Sequence, residues 1–446
     1  MFKKACTALL LVAFSIITHA QIIAGPMTGQ VELRDAKVWL EVAPTVKKVP
    51  LQYGRKGTSA RKTIEYKGTL GQEFNPIQFT IGGLDMATTY EYSFLIDGKG
   101  AGPMVEFTTK DLWQWRKPAP DFTFLTGSCA YFNQPEHDRP GKPYGGDSSI
   151  FETMAKEKAA FMLWMGDNWY TREVDYYSQW GLWYRAQHDR RQPVLQGFLR
   201  AMPHYAMWDD HDYGPNNSGA SFIHKETSKK IFDSYWANPS SGHYGQGVYT
   251  QFGYSDVDFF LCDGRWWRAP DEMMDSVNGQ PNPEKRMLGA QQMQWLKEAL
   301  LQSTATFKII NMGSQVLNPA SDKDKFMYFP IEYYELMAFI KDNRLDGVVF
   351  LTGDRHHSEV IKVERPGTYA LYDVTVSSLT AGISGFNGAE KENKARLLGI
   401  AKNNYGRISV TGGKGQRQLK VEFIGTKGDK LGEWSVMESE LKTPRQ

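Results

Sequence analysis

Several apolar runs in this chain end on residues able to bind a metal or carry a proton. FTFLT leads into Gly127-Ser128-Cys129, and FMLWM leads into Gly166-Asp167-Asn168-Trp169-Tyr170. HYAMW leads into Asp209-Asp210-His211-Asp212, and VDFFL into Cys262-Asp263-Gly264-Arg265. FKIINM leads into Gly313-Ser314-Gln315, and DGVVFLT into Gly353-Asp354-Arg355-His356-His357. Carboxylate, imidazole, thiolate and phenolate are the side chains that hold cations, and cations so held activate water. A Gly-Asp pair after a strand says little alone. WDDHD says more, because consecutive titratable residues after an apolar strand are costly to bury as plain structure. One of Asp209 and Asp212 is expected to serve as a helix cap or turn residue instead. His357 reads as a core or surface histidine, and Cys129 by itself as a small buried residue.

The elements that must position these tails follow from the texture of the chain. From 122 onward, apolar runs alternate with helical stretches such as SSIFETMAKEK, GAQQMQWLKEALLQS and IEYYELMAFIKDNR, which predicts an α/β domain. In open α/β sheets, ligand sites lie beyond the carboxyl ends of the strands, so the tails are expected to converge at one rim. Ionised carboxylates crowded there need a compensating cation. Asp167 is the expected bridge between two ions, which in two-metal hydrolases lie about 3.5–4 Å apart. The closing runs YGRISVTG, RQLKVEFIG and LGEWSV predict strands that extend a sheet or form hairpins. Residues 21–111 read as a small β-sandwich, 112–121 as a proline-marked linker, and 122–446 as the catalytic domain.

The first twenty residues, MFKKACTALLLVAFSIITHA, have a basic start, an apolar core and a small residue at position 20. That is the layout of a secretory signal peptide. The apolar stretch is short for a membrane span of about 20 residues, and no twin arginine precedes it. Export to the periplasm or the medium is therefore expected. Without this segment, basic and acidic residues balance at 50 each, so net charge favours neither nucleic-acid nor anionic-membrane binding. No later apolar run is long enough to span a bilayer. Cys129 and Cys262 remain; they could form one bridge, or one could be a metal-held thiolate.

Taken together, GSC at 127–129, GDNWY at 166–170, WDDHD at 208–212 and GDRHH at 353–357 resemble the PhoD-type alkaline phosphatases, within the calcineurin-like metallophosphoesterases. The run from Tyr184-Arg185 into WDDH and the strand ending in Asp263-Gly264-Arg265 are similar to that family too. The resemblance covers nearly the whole chain after residue 20. It implies a four-layer αββα sandwich with an N-terminal all-β domain of immunoglobulin or fibronectin III type. It implies hydrolysis of phosphate mono- or diesters by in-line attack of a metal-activated water. Carried over, Cys129, Asp167 and Tyr170 would hold a ferric ion, with calcium beside it; other divalent metals are alternatives. Asp210 would be a further ligand and His211 would face the substrate. Asp354 and His356 would complete the ligands, with Asn216 as an additional one. Here Asp212-Tyr213-Gly214-Pro215 stands where the family usually has Glu-Val before paired asparagines, which alters the loop that carries Asn216.

The leading expectation is an exported phosphoric-ester hydrolase acting on a small-molecule phosphate ester. A phospholipase-like or nucleotide-specific phosphodiesterase would use the same site, and a non-catalytic phosphate-binding protein is the expectation from another class. Trp169, Tyr213, Trp266 and Trp267 are expected either to shape a substrate cleft or to lie in the core. Arg265 either contacts phosphate or forms a structural ion pair.

Overall fold

The computed structural model describes residues 21–321 and 324–444; the leader-like segment 1–20 lies outside them. Near the N-terminus, alternation builds two small sheets. In Thr89–Ile96 every second residue (Tyr90, Tyr92, Phe94, Ile96) is buried, the period-2 pattern of a strand with one wet face. Ile22–Val31, Asp35–Val42 and Pro76–Gly82 form a three-stranded sheet. Lys62–Glu65, Pro50–Arg55, Thr89–Ile96 and Lys99–Thr108 form a four-stranded one. Val38, Leu40, Ile77 and Phe79 from the first share one apolar cluster with Leu51, Tyr92 and Phe94 from the second.

After residue 121 the runs become short and fully buried, as strands covered on both faces require. His204–Met207, Met162–Met165 and Phe122–Gly127 lie side by side and parallel. Asn404–Thr411, Gln418–Gly425 and Lys430–Met437 continue that sheet antiparallel, making six strands. A second sheet of seven strands has Val257–Leu261, Phe307–Met312, Val348–Thr352 and Leu371–Thr375 parallel at its centre. The six apolar runs picked out in the sequence are all strands, and the C-terminal runs both extend a sheet and pair as hairpins.

The two large sheets share a core. Phe124 meets Phe259 edge-on at 5.2 Å, and Leu163, Met207, Ile310 and Phe350 belong to the same apolar cluster. The helix Gly289–Gln302 adds Met293, Leu296 and Leu300 to it, and Pro330–Asp342 adds Leu336 and Ile340. A second cluster joins Met162, Trp164 and Ala206 of the six-stranded sheet to Ile150, Phe151 and Met154 and to Phe198 and Leu199 of the helix Pro193–Ala201. The N-terminal sheets dock on this side. Trp39 joins the second cluster and donates from Nε1 to the Ser234 carbonyl at 2.9 Å. Gln30 N donates to the Ala237 carbonyl at 2.9 Å. Among the described residues no helix is long and apolar enough to cross a membrane.

Candidate metal centre

Each parallel strand delivers its tail to the same rim. Gly166 follows the strand Met162–Met165 at φ +94°, and a β-carbon there would come within 2.6 Å of the Asp209 β-carbon. Glycine is what lets the two tails approach. Past the strands, Cys129 (φ +63°), Asp167 (+53°), Asp354 (+65°) and His356 (+57°) all adopt the left-handed conformation. Each such residue costs about 1–3 kcal/mol, and such strain gathers at functional sites. Side-chain direction has been chosen here over backbone ease.

The side chains meet. Cys129 Sγ lies 3.6 Å from Asp167 Oδ2. The Tyr170 hydroxyl donates to the same oxygen at 3.1 Å and lies 3.1 Å from His356 Nε2. Asp167 Oδ1 accepts the backbone N–H of His211 at 3.1 Å. Asp210 Oδ2 accepts Asn217 N–H at 2.8 Å. Ligand atoms cluster within 4.8 Å of one another in three overlapping groups: Cys129, Asp167 and His356; Asp167, Asp210 and His211; Asp209, Asp210 and Asp354. Asp167 belongs to the first two groups and Asp210 to the last two.

The electrostatics are those of an uncompensated acidic nest. Burial, then the charges of Asp210, Asp209, Asp212 and Asp354, pushes the Asp167 carboxyl well above the usual range. Burial and then Asp324 do the same to Asp354. Burial, then Asp167 and Asp354, raises the Cys129 thiol, and burial with Asp167 raises the Tyr170 phenol. Burial holds His211 below its ordinary value and His356 down to about 4, so both rings are neutral at pH 7. Asp209 Oδ2, Asp210 Oδ1, Asp354 Oδ2 and His211 Nδ1 are buried without a hydrogen-bond partner among the described residues. Orphaned oxygens at such cost, beside a thiol, a phenol and imidazoles, fit cations: an anionic S/O set on one side and carboxylates on the other.

A cavity of about 1110 Å³ opens over this nest. Asp167, His211, Asp354 and His356 line it, together with Tyr144 and Asn216. Asn216 is exposed at its margin.

A family model described as PhoD-like phosphatase matches residues 124–422. The chain belongs to the PhoD-like phosphatase family. Alkaline phosphatase D of Bacillus subtilis (strain 168) is 27% identical over 361 residues, covering 69% of this chain and 58% of the relative. The chain thus spans less than two thirds of that relative's length. A solved structure of PhoD superposes with a TM-score of 0.77 at 19% identity, over 95% of this chain and 92% of the other. Purple acid phosphatase PPD1 from yellow lupin (Lupinus luteus) superposes at 0.66 with 9% identity, over 92% and 74%. Both likenesses are likenesses of fold.

In this PhoD-like chain the alternatives left open by the sequence fall as follows. Trp169, Tyr213 and Trp266 are buried in the apolar cluster behind the site, and Trp267 packs against it; they do not line the cavity. Tyr144 does, with its hydroxyl 2.9 Å from His356 Nδ1. Arg265 is fully buried and donates from Nε to Asp209 Oδ1 at 2.5 Å, with Nη2 3.5 Å from Asp210 Oδ1. Its role is the ion pair. Asp209 is the N-cap residue of the short helix Asp210–Tyr213, and Asp212 completes the capping box, accepting the N–H groups of Asp209 at 2.8 Å and Asn168 at 2.9 Å; Asp209 also belongs to one of the metal-capable groups. Among the described residues Cys129 and Cys262 are free, in separate clusters. His357 is a core histidine, fully buried 3.4 Å from Glu359. Sequence reasoning passed over Asp324, which lines the cavity and raises Asp354; its segment carries no apolar run to mark it. It also passed over the backbone carbonyl of Gly382, 2.7 Å from His356 Nδ1. That contact places the ring proton on Nδ1 and leaves Nε2 with a lone pair facing the nest.

Proposed function

We propose that this chain is an exported metal-dependent phosphoric-ester hydrolase, a PhoD-like alkaline phosphatase with mono- or diesterase activity on small-molecule esters. The observation that carries this reading is the convergence of Cys129, Asp167, Asp210, Asp354 and His356, with orphaned buried oxygens, at the floor of one open cavity. The ligand assignment is Cys129, Asp167 and Tyr170 for a ferric ion, where anionic ligands suit the higher charge. His356, grouped with Cys129 and Asp167 and 3.1 Å from the Tyr170 hydroxyl, would add a nitrogen to that set, while Asp167, Asp210 and Asp354 would take calcium or another divalent ion, with Asn216 reaching in from the margin. Bound cations would lower the pKa of water and offset charge on the phosphoryl oxygens.

The chain's own residues do the rest. A water oxygen bonds to phosphorus as the ester P–O bond breaks in line. The water gives up one proton as its oxygen bonds to phosphorus, and the ester oxygen leaves with the bonding pair and takes up one proton from solvent, so the products are an alcohol and phosphate. His211 is neutral and holds one ring N–H, which donates to the phosphoryl or leaving oxygen. Its ring is fixed by stacking on Tyr170 at 4.2 Å. Asp167, gripped at both oxygens, keeps its carboxylate pointed at the floor.

Further parts of the reading are also proposals. The domain limits are 21–111, 112–121 and 122–446. The catalytic part is a four-layer αββα sandwich, a layering supported by the apolar cluster the two large sheets share. The N-terminal sandwich is of immunoglobulin or fibronectin III type. Export to the periplasm or the medium rests on residues 1–20. The test is metal analysis of purified protein alongside hydrolysis of p-nitrophenyl phosphate and its bis ester. Protein loaded with iron and calcium that hydrolyses neither refutes the proposal.

A further inference from the structure

A second cavity, of about 440 Å³, adjoins the first. Lys142, Tyr144, His211 and Asn216 are common to both and form the partition. Behind the partition the walls are Tyr131, Tyr170, Tyr176 and Arg139. Tyr131 meets Tyr144 and Tyr170 edge-on at 4.9 and 5.1 Å. The Arg172 guanidinium lies 4.1 Å over the Tyr131 ring.

The polar groups of this chamber are mostly committed. The Tyr131 hydroxyl donates to Asp138 at 2.7 Å, and Arg172 donates to Asp138 and to the Phe132 carbonyl. Arg139 donates to Glu173 at 2.9 Å, yet its side chain is 85% exposed and only lightly held. Tyr131 and Tyr170 are buried, with Arg172 over a face of the first and His211 over a face of the second; the ring surface open to the chamber is that of Tyr144 and Tyr176, with Lys142 and Arg139 at its edge. That surface is poor at satisfying a polyol's hydroxyls and well suited to a planar ring. The volume lies within the range of small-molecule sites, roughly 300–1,000 Å³.

His211 fixes which end of a substrate reaches this chamber. Its backbone is tied to Asp167 and one face of its ring lies on Tyr170. An ester oxygen that takes the His211 hydrogen bond carries its organic substituent past the partition. We propose that the second cavity is the leaving-group subsite and selects a planar aromatic group, such as a nucleoside, over a small polyol. This rests on the hydrolase reading above, since it needs a phosphoryl group over the acidic nest.

Adenosine 5′-monophosphate and glycerol 3-phosphate both release a primary alkoxide, so their comparison reads the organic group and not leaving-group acidity. With metal-loaded full-length protein, kcat/KM is expected to be at least about tenfold higher for the nucleotide, the scale of one base–aromatic stack. Tyr176→Ala should remove most of that preference and leave glycerol 3-phosphate within about twofold. Arg139→Ala, at an exposed side chain that does not endanger folding, should cost the nucleotide alone several-fold. Saturation-transfer NMR with adenosine, which needs neither metal nor turnover, should detect binding that Tyr176→Ala abolishes. Hydrolysis of both esters without preference, or variants that lower both equally, would overturn the subsite and leave the hydrolase reading standing. Adenosine binding with no hydrolysis of either ester would overturn the hydrolase reading and keep the chamber as an aromatic-binding site.

Discussion

Asp167 and His211 are joined through the backbone: the N–H of His211 donates to Oδ1 of Asp167 at 3.1 Å. The carboxylate therefore fixes both the floor of the site and the start of the short helix Asp210–Tyr213 that carries the imidazole. Asp167→Asn keeps the shape and removes the charge. Burial already pushes the Asp167 carboxyl toward its neutral form, so metal-free variant should melt at or above the wild-type temperature. Turnover with added metal should fall by at least about a hundredfold. Melting curves in chelator and kcat with saturating metal check both halves; near-normal kcat would reject a bridging role.

Gly313 matters through what it lacks. A β-carbon there would stand 2.4 Å from Cγ of Asp209 and 2.5–2.6 Å from its two oxygens. Gly313→Ala must turn the Asp209 carboxylate away from Arg265, leaving a buried guanidinium with weaker support. The expected cost is about 1–3 kcal/mol of stability. Metal affinity at the Asp209–Asp210–Asp354 group should weaken as well. Urea unfolding and a calcium titration read the two effects. A variant with wild-type values in both would show that the nest tolerates displacement of Asp209.

The strands were readable in the chain because burial on both faces demands unbroken apolar runs. The residues after them stood out because titratable groups rarely follow such runs without purpose. Cys129, Asp167, Asp210, Asp354 and His356 could therefore be placed at one rim before any coordinates. Arg265 could not be assigned between phosphate and ion pair, because its partner Asp209 lies 56 residues earlier in the chain. The aromatic residues stayed open between cleft and core for a related reason. Trp169 follows Asp167 by two positions, yet the left-handed turn at Asp167 sends it into the core. Tyr144 and the Gly382 carbonyl, which do face the site, come from irregular segments with no periodicity to read. Asp209 and Asp212 share one capping box, an arrangement that the run of acidic residues alone does not reveal.

Colour tests the ferric assignment. Thiolate and phenolate bound to a ferric ion give charge-transfer absorption in the visible range. Cys129 and Tyr170 are the groups placed to supply them, both beside Asp167 Oδ2. Purified iron-containing protein is expected to be coloured, and chelation to bleach it. Tyr170→Phe should remove the phenolate band while leaving an absorption from Cys129. Iron-loaded protein without visible absorption would refute this ligand set, whatever its activity.

The pH dependence of stability can be read at Glu41, far from the metal-capable residues. Its carboxyl is fully buried where the N-terminal sheets meet the rest of the chain, accepting Gln187 Nε2 at 2.7 Å and the Tyr235 hydroxyl at 3.0 Å. Burial raises it from 4.5 to about 7, against the smaller opposing pulls of those hydrogen bonds and of Arg190 and Arg191. Between those two values the folded state holds a proton that the unfolded state has released. Stability is therefore full below pH 4.5, falls as pH rises through this window, and levels off above 7. The loss amounts to about 3 kcal/mol over the window. Glu41→Gln carries no ionisable proton and escapes it. The variant should match wild type within about 1 kcal/mol at pH 5 and exceed it by roughly 2–3 kcal/mol at pH 8. Urea unfolding at both pH values, in chelator so that metal binding does not contribute, measures the difference. A Gln variant weaker than wild type at pH 8 would mean that the ionised carboxylate is held by the arginines more strongly than burial opposes it.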